Sequence, residues 1–192
     1  NIMREVYRLS KNSKYYNVSN EAKRDLAYFY TDAGKIKEAV KFYKKGNQIT
    51  RNLIKVSKYL LDQGKYANAE RVLIEAKSNK KTMAEDIEIN NTLLNLYEKF
   101  GRVSKHINVA KTLAIHVRQK QLSEAYFENL KYQVKKMGGV LQKQVIGKHY
   151  KQRKKVLRRK ARQAVDYFTI VAELEKSKSY LAYFHAGETL YA

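Results

Sequence analysis

Two stretches of the chain share one pattern in the same register. Residues 22–46 have the sequence AKRDLAYFYTDAGKIKEAVKFYKKG, and residues 52–76 have the sequence NLIKVSKYLLDQGKYANAERVLIEA. In each, apolar residues recur every three or four positions, a Gly-Lys pair interrupts them, and a second apolar helical pattern follows. Gly34 and Gly64 stand where a helix must end in a left-handed residue for the chain to reverse. The pattern predicts two consecutive antiparallel helical hairpins.

Composition also favours helices. The 192 residues include no proline and only 8 glycines, so few positions interrupt a helix. Hydrophobic residues make up 44% of the chain, which is enough for a packed core. Cysteine is absent, which excludes disulfides, cysteine zinc sites and thiol catalysis. We therefore predict an all-α fold.

A small residue follows each turn at the same distance. Ala39 and Ala69 lie five residues beyond the glycines, where a short side chain lets the second helix pack closely against the first. Tyr43 and Leu73 follow one helical turn later on the same face. These positions are predicted to form the contact within each hairpin.

Less complete copies of the pattern follow. Residues 90–113 place His106 where a small residue is expected, so this histidine is predicted to fill or disturb a helix contact. Residues 126–139 retain the first helical pattern and end in Gly138-Gly139, which predicts another turn. The predicted turn glycines are Gly34, Gly64, Gly101 and Gly138, separated by 30, 37 and 37 residues.

With these residues in place, the chain resembles the tetratricopeptide repeat (TPR) family. That family has the pattern W-x2-L-G-x2-Y followed by A-x3-F, with a period of about 34 residues. Lys23 and Leu53 stand at the tryptophan position of the first two repeats, and the terminal proline of the pattern is missing from both. The positions assigned to the repeat are Leu26, Ala27, Tyr30, Gly34, Ala39, Tyr43, Gly64, Ala69, Leu73, Tyr97 and Gly101.

The resemblance implies a right-handed α-α superhelix, a solenoid of about three to four hairpins with a concave groove. Such proteins bind other proteins in the groove lined by the first helix of each repeat. One subclass holds a C-terminal carboxylate with lysine and asparagine, but Tyr28 stands where an asparagine belongs, so that clamp is not supported. The residues expected to face the groove are Arg24, Tyr28, Asp32, Lys55, Lys58, Asp62, Asn91, Asn95 and Lys99.

The predicted organisation has three parts. Residues 1–19 are interpreted as the remnant of a preceding repeat helix, and residues 20–139 as the repeats. Residues 140–192 are expected to form basic C-terminal helices that pack on the solenoid. Within this last part we predict a short helix, a long helix from about 148 to 176 and a final helix over 180–191. The sequence leaves open whether it is a piece of a longer protein.

Positive charge is concentrated in the second half of the chain. The net charge is +22, and the run KHYKQRKKVLRRKAR over residues 148–162 contains no acid. On a helix, Tyr150, Leu157, Ala161 and Ala164 form one narrow apolar stripe, and the cations cover the other faces. The residues proposed for an acidic partner or a phosphate are Lys148, Lys151, Arg153, Lys154, Lys155, Arg158, Arg159 and Arg162.

Four interpretations of this basic run stay open. The first is a terminal helix whose cations are only solvated. The second is a surface for an acidic protein, the third a site for nucleic-acid phosphates, and the fourth a contact with anionic lipid. Only Tyr150 lies inside the run as an aromatic residue for base stacking, and no RNA-binding motif is present. An acidic protein is therefore favoured over nucleic acid among the functional interpretations.

Catalytic and metal-binding patterns are absent from the sequence. The four histidines are His106, His116, His149 and His185, and none pairs with another at helical spacing. No G-x-S-x-G or G-x-G-x-x-G motif is present. We therefore expect no enzymatic activity, no metal and no cofactor. No apolar run reaches the roughly 18 residues of a membrane span, so a soluble protein is expected. The sequence leaves the compartment open, whether intracellular or bacterial periplasmic.

These observations predict a non-catalytic scaffold or adaptor in a multi-protein assembly. Its partner would be one or more proteins with an acidic surface or an extended peptide. A bacterial envelope or motility machine is one such setting for a Lys- and Asn-rich chain of this kind. The alternatives are a nucleic-acid-associated protein that uses residues 148–162, or a peripheral adaptor on an anionic membrane.

Overall fold

The computed structural model describes residues 5, 8, 9, 19–45, 48–147 and 154–191. Within these ranges the regular structure is entirely helical, which confirms the all-α prediction. A short 3-10 helix, Lys176–Lys178, precedes the last α-helix. The α-helices of this part of the chain are α1 (Ser19–Asp32), α2 (Ile36–Lys44), α3 (Ile49–Asp62), α4 (Tyr66–Ser78), α5 (Met83–Lys99), α6 (Val103–Arg118), α7 (Glu124–Ile146), α8 (Lys154–Leu174) and α9 (Ser179–Tyr191).

Helices that follow one another in the chain pack together. The chain divides into an N-terminal unit, residues 1–89, and a C-terminal unit, residues 90–192. In the N-terminal unit, α1 packs on α2 and α3 packs on α4. In the C-terminal unit, α8 packs against α7 and α9 and also contacts α6. The boundary predicted between residues 139 and 140 falls inside α7.

Three of the predicted turns end a helix as expected. Gly34, Gly64 and Gly101 have φ angles of +71°, +69° and +67°, which a residue with a β-carbon adopts at a cost. After α3, the N–H of Gly64 donates to the carbonyl of Leu61 at 3.0 Å, and the N–H of Lys65 donates to Leu60 at 2.8 Å. This pair of bonds is a Schellman motif, which satisfies carbonyls at the helix end.

The small residues after these turns lie in the core. Ala39 and Ala69 are completely buried, and Tyr43 and Leu73 are buried beside them, as predicted. Of the other positions assigned to the repeat, Leu26 and Tyr97 are buried and Tyr30 is half-buried. The side chain of Ala27 lies outside the described residues.

The predicted turn at Gly138 and Gly139 is wrong. Both glycines lie inside α7, which continues to Ile146, and Gly138 is buried. A β-carbon at Gly138 would meet Cβ of Tyr167 at 3.2 Å and the ring of Phe168 at 3.3 Å. This glycine therefore provides space for α8 to cross α7 closely. Local sequence cannot distinguish this role from a turn, because the neighbour that requires it is about 30 residues away.

A fourth left-handed residue was missed by sequence reasoning. Lys120 follows α6 with a φ of +55°, and its N–H donates to Val117 at 3.0 Å. The N–H of Gln121 donates to His116 at 2.9 Å, which completes another Schellman motif. Because a lysine occupies the position that favours glycine, no sequence signal marked this turn.

The C-terminal helices follow the prediction in outline. α8 ends at Leu174 and α9 covers Ser179–Tyr191, close to the expected bounds. The start predicted near residue 148 lies outside the described residues, and so does most of the segment 1–19 interpreted as a repeat remnant. The short helix expected after Gly139 is the last part of α7.

Candidate functional site

In the N-terminal unit, three residues predicted to face a groove contact neighbouring helices. The ring of Tyr28 stacks on Tyr59 with centroids 4.4 Å apart, and the hydroxyl of Tyr59 donates to Asp32 at 2.8 Å. Lys58 forms an ion pair with Glu88 at 3.0 Å. These contacts join α1 to α3 and α3 to the start of α5.

In the C-terminal unit, two more of the predicted groove residues contact a neighbouring helix. The side-chain amide of Asn129 on α7 donates to Asn91 at 2.8 Å and to Asn95 at 3.3 Å. Gln133, also on α7, donates to Asn95. Both asparagines are therefore committed to the contact between α5 and α7.

Three of the predicted groove residues are available to a partner. Lys55, Asp62 and Lys99 are exposed and make no ion pair or hydrogen bond through their side chains with a described residue. The side chain of Arg24 lies outside the described residues. Of the eight predicted groove residues whose side chains are described, five contact another helix, and the groove itself stays a prediction.

His106 is the centre of a buried polar network. Its ring is fully buried on α6, with Nε2 2.9 Å from the amide oxygen of Gln133 and Nδ1 2.9 Å from the hydroxyl of Tyr167. Burial lowers the pKa of His106, and burial also raises the pKa of Tyr167. The neutral ring therefore donates from Nε2 to Gln133 and accepts at Nδ1 from Tyr167. The expectation that His106 fills a helix contact is confirmed.

The first half of α8 presents cations that have no ion-pair partner within the described part of the chain. Lys154, Lys155, Arg158, Arg159 and Arg162 are exposed, and none makes an ion pair with a described residue. The apolar stripe predicted along this helix is only half-buried at Leu157 and Ala161 and becomes fully buried at Ala164. Lys148, Tyr150, Lys151 and Arg153 lie outside the described residues.

Most carboxylates of the C-terminal unit are paired with basic groups outside the start of α8. Residues 90–192 contain seven acidic residues, and six of them pair with basic groups outside residues 154–162. The pairs are Glu98 with Lys136, Glu128 with Lys131, Asp166 with Lys111, Glu173 with Arg118, Glu175 with Lys135 and Glu188 with His185. The positive charge at the start of α8 is therefore not neutralised by these carboxylates.

Two adjoining cavities lie beside these cations. One, of 650 Å³, lies between the start of α6, the second half of α7 and α8. The other, of 790 Å³, follows the first half of α8 and shares Ser104, Arg159 and Gln163 with the first. Among the described residues no carboxylate lines either cavity. We call the first cavity the cationic groove; it is lined by Gly101, Arg102, Val103, Ser104, Lys105, Met137, Val140, Leu141, Gln144, Arg159, Lys160 and Gln163.

Several groove residues were missed by sequence reasoning. Arg102 and Lys105 immediately follow the turn at Gly101, and Met137 and Val140 belong to α7. They meet the cations of α8 only because α6, α7 and α8 pack together, over separations of about 20 to 60 residues. The one signal in the sequence was the basic character of the helix start after Gly101.

Comparisons with known proteins found no match. No protein-family model and no curated protein matches the chain. Within the described ranges, no helix has the length and apolar character needed to cross a membrane. In the same ranges no three His, Cys, Asp or Glu side chains come together to hold a metal ion. The resemblance to TPR proteins therefore stays a prediction.

Proposed function

We propose that this chain is a non-catalytic scaffold, built from TPR-like helical hairpins, that binds an acidic protein partner. The observation that carries this proposal is the row of exposed cations at the start of α8, which form no ion pair with a described residue. It supports an acidic partner because the carboxylates that could have neutralised these cations are paired with other basic groups.

The cations would contribute attraction and speed of encounter. A surface of one sign steers an oppositely charged partner towards it and raises the association rate, most strongly at low salt. Exposed pairs contribute only roughly 0.2–1 kcal/mol each, so several have to act together. Lys154, Lys155, Arg158 and Arg162 share one end of α8 and meet this requirement.

The proposed surface differs from the groove that the resemblance implied. Side chains such as Asp32, Asn91 and Asn95 bind neighbouring helices, which leaves few of them for a partner. The start of α8 and the groove beside it offer a larger group of charges. The proposal therefore rests on the C-terminal unit.

A pair of charge variants tests the proposal. One variant replaces Lys154, Lys155, Arg158 and Arg162 with glutamine. The control replaces two exposed lysines and two exposed arginines of the N-terminal unit that form no ion pair with a described residue, namely Lys37, Lys41, Arg51 and Arg71. Both variants lose four positive charges. A difference between them therefore reports the contribution of the α8 surface and not the change in net charge.

The measurement is the affinity for an 18-residue glutamate-rich peptide and for a 20-nucleotide single-stranded RNA, by fluorescence anisotropy. We expect the α8 variant to bind the peptide about tenfold more weakly, since it loses four exposed pairs, and the control to bind like the wild type. Equal loss in both variants contradicts the proposal. Much tighter binding of RNA than of peptide, with a steep salt dependence, would favour nucleic acid instead.

A further inference from the structure

We infer that the cationic groove binds an acidic amphipathic helix, with apolar side chains on the α7 floor and carboxylates at the basic rim. This inference rests on the proposed function and names the kind of partner segment. It goes further because it requires shape and apolar contact as well as charge.

The floor of the groove is an apolar stripe on one helix. Met137, Val140 and Leu141 lie on α7 at positions i, i+3 and i+4, and Gln144 follows at i+7. Val140 is 43% exposed although it belongs to a groove between three helices, and Met137 is half-buried. Leu141 is only 5% exposed, so Met137 and Val140 are the residues of this stripe whose apolar surface a partner could remove from water.

The rim of the groove is basic on both sides. Arg102 and Lys105 project from the start of α6, and Arg159 and Lys160 project from α8. The guanidinium of Arg102 lies 4.6 Å from the ring centre of Phe100, and the ammonium of Lys105 lies 5.6 Å from that of Tyr97. Both cations line the groove, and each also contacts an aromatic ring outside its lining. The N-terminus of α6, which has no side-chain cap, adds to the positive potential.

An amphipathic helix matches both features. Helices that bind in grooves place side chains at i, i+3, i+4 and i+7 on an apolar floor. Glutamate or aspartate on the flanks of the helix would meet Arg102 and Lys105 on one side and Arg159 on the other. One helix would therefore use the floor and the rim together.

Other anionic partners fit the groove less well. No aromatic side chain is among its described lining residues, so bases have no stacking partner there. A phosphate backbone would use the rim and leave Met137 and Val140 exposed. A membrane surface binds a protruding apolar face, whereas this apolar stripe lies at the bottom of a groove.

Two peptides of identical composition test the inference. Both are fluorescein-labelled 18-residue chains of glutamate, leucine and alanine; one places leucine at i, i+3, i+4 and i+7, and the other has the same residues in an order without helical periodicity. We expect the wild-type protein to bind the amphipathic peptide about tenfold more tightly. Single-stranded RNA of 20 nucleotides and phosphatidylglycerol vesicles are the competing probes.

A variant of the floor supplies the control. Val140→Asn makes the floor polar without changing the charge, and Ile115→Asn alters a similarly exposed residue on α6 outside the groove. We expect Val140→Asn to remove the preference for the amphipathic peptide and Ile115→Asn to keep it. Circular dichroism verifies that both variants remain helical.

The outcomes separate this inference from the proposed function. Equal binding of the two peptides, still weakened by the four glutamine substitutions on α8, overturns the amphipathic helix and leaves the acidic partner. Peptide binding that is insensitive to those substitutions overturns the proposed function itself. Tighter binding of RNA or vesicles, unaffected by Val140→Asn, overturns the inference in favour of that ligand.

Discussion

The hydroxyl of Tyr167 lies 2.9 Å from Nδ1 of His106, although 61 residues separate them in the chain. The bond joins α8 to α6, and the other ring nitrogen of the histidine bonds to Gln133 on α7. Three helices therefore meet at one fully buried imidazole. Both of its nitrogens have partners only while the ring is neutral and the tyrosine keeps its proton.

The stability of the protein should depend on the charge of His106. Burial lowers the pKa of His106 below its usual value of 6.5, so below pH 6.5 the unfolded chain binds a proton that the folded protein does not bind. The free energy of unfolding should therefore fall as the pH drops from 6.5 towards the folded-state pKa. Urea unfolding between pH 8 and pH 5 measures this change.

The variant His106→Gln isolates the contribution of the histidine, because the carboxylates titrate in both proteins. We expect the variant to be less stable at pH 8 but to lose less stability than the wild type on acidification. Parallel curves for the two proteins would show that the folded and unfolded states bind the proton equally.

Removal of the Tyr167 hydroxyl should destabilise the C-terminal unit. Tyr167→Phe leaves Nδ1 of His106 as a buried acceptor without a donor, which costs about 1–3 kcal/mol. The matched control is Tyr180→Phe, because Tyr180 is 66% exposed, and a change there should stay within about 0.5 kcal/mol. Chemical denaturation measures both variants, and equal effects would mean that the buried bond contributes nothing.

Substitution of two adjacent glycines in α7 by alanine should change the stability of the protein in opposite directions. Gly139→Ala meets no atom within 4 Å and should stabilise the helix by about 0.5–1 kcal/mol. Gly138→Ala brings Cβ to 3.2 Å from Cβ of Tyr167, so crowding of about 1–3 kcal/mol should outweigh the same helix gain. Thermal unfolding of the two variants tests this, and a similar rise in Tm for both would show that α8 moves aside easily.

The protein should be more stable with glycine than with lysine at position 120, where the backbone is left-handed. A residue with a β-carbon is destabilised by about 1–2 kcal/mol at a φ of +55°. Glycine avoids this strain, but it loses more backbone entropy on folding, which offsets part of the gain. Lys120→Gly should therefore raise the stability by up to about 1 kcal/mol. The reverse change, Gly64→Ala at a φ of +69°, should lower it by about 1 kcal/mol, since nothing within 4 Å blocks the new methyl group.

Unfolding by heat measures both of these turn variants under one condition. A loss of stability in Lys120→Gly would mean that the lysine side chain contributes more than its backbone strain. No change in Gly64→Ala would mean that this turn relaxes into another conformation.

Much of the N-terminal unit was predictable from the chain alone. The apolar period, Gly34 and Gly64, and the small residues Ala39 and Ala69 act within one hairpin, and each has the expected position. Such features depend on neighbours a few residues away, so periodicity and backbone preference are sufficient to identify them. The turn at Lys120 shows the limit, because a left-handed lysine has no sequence signature.

The candidate site was predictable only in part. The basic run identified Arg158 and its neighbours, and the structure places them on an exposed, unpaired surface. The apolar floor with Val140 and the opposite rim with Arg102 did not follow from the sequence, because no local pattern brings three helices together. The groove predicted from the repeat register stays a prediction, and two of its residues, Asn91 and Asn95, bind side chains of α7.

Periodicity, the rarity of helix breakers and three glycines determined that this chain forms helices joined by tight reversals, because these properties act within one or two helical turns. Packing alone decided that Gly138 spaces two helices, that His106 is a neutral connector and that cations from α6 and α8 share one cavity. Each of these depends on atoms 20 to 60 residues away, and their positions are known only after the helices have docked.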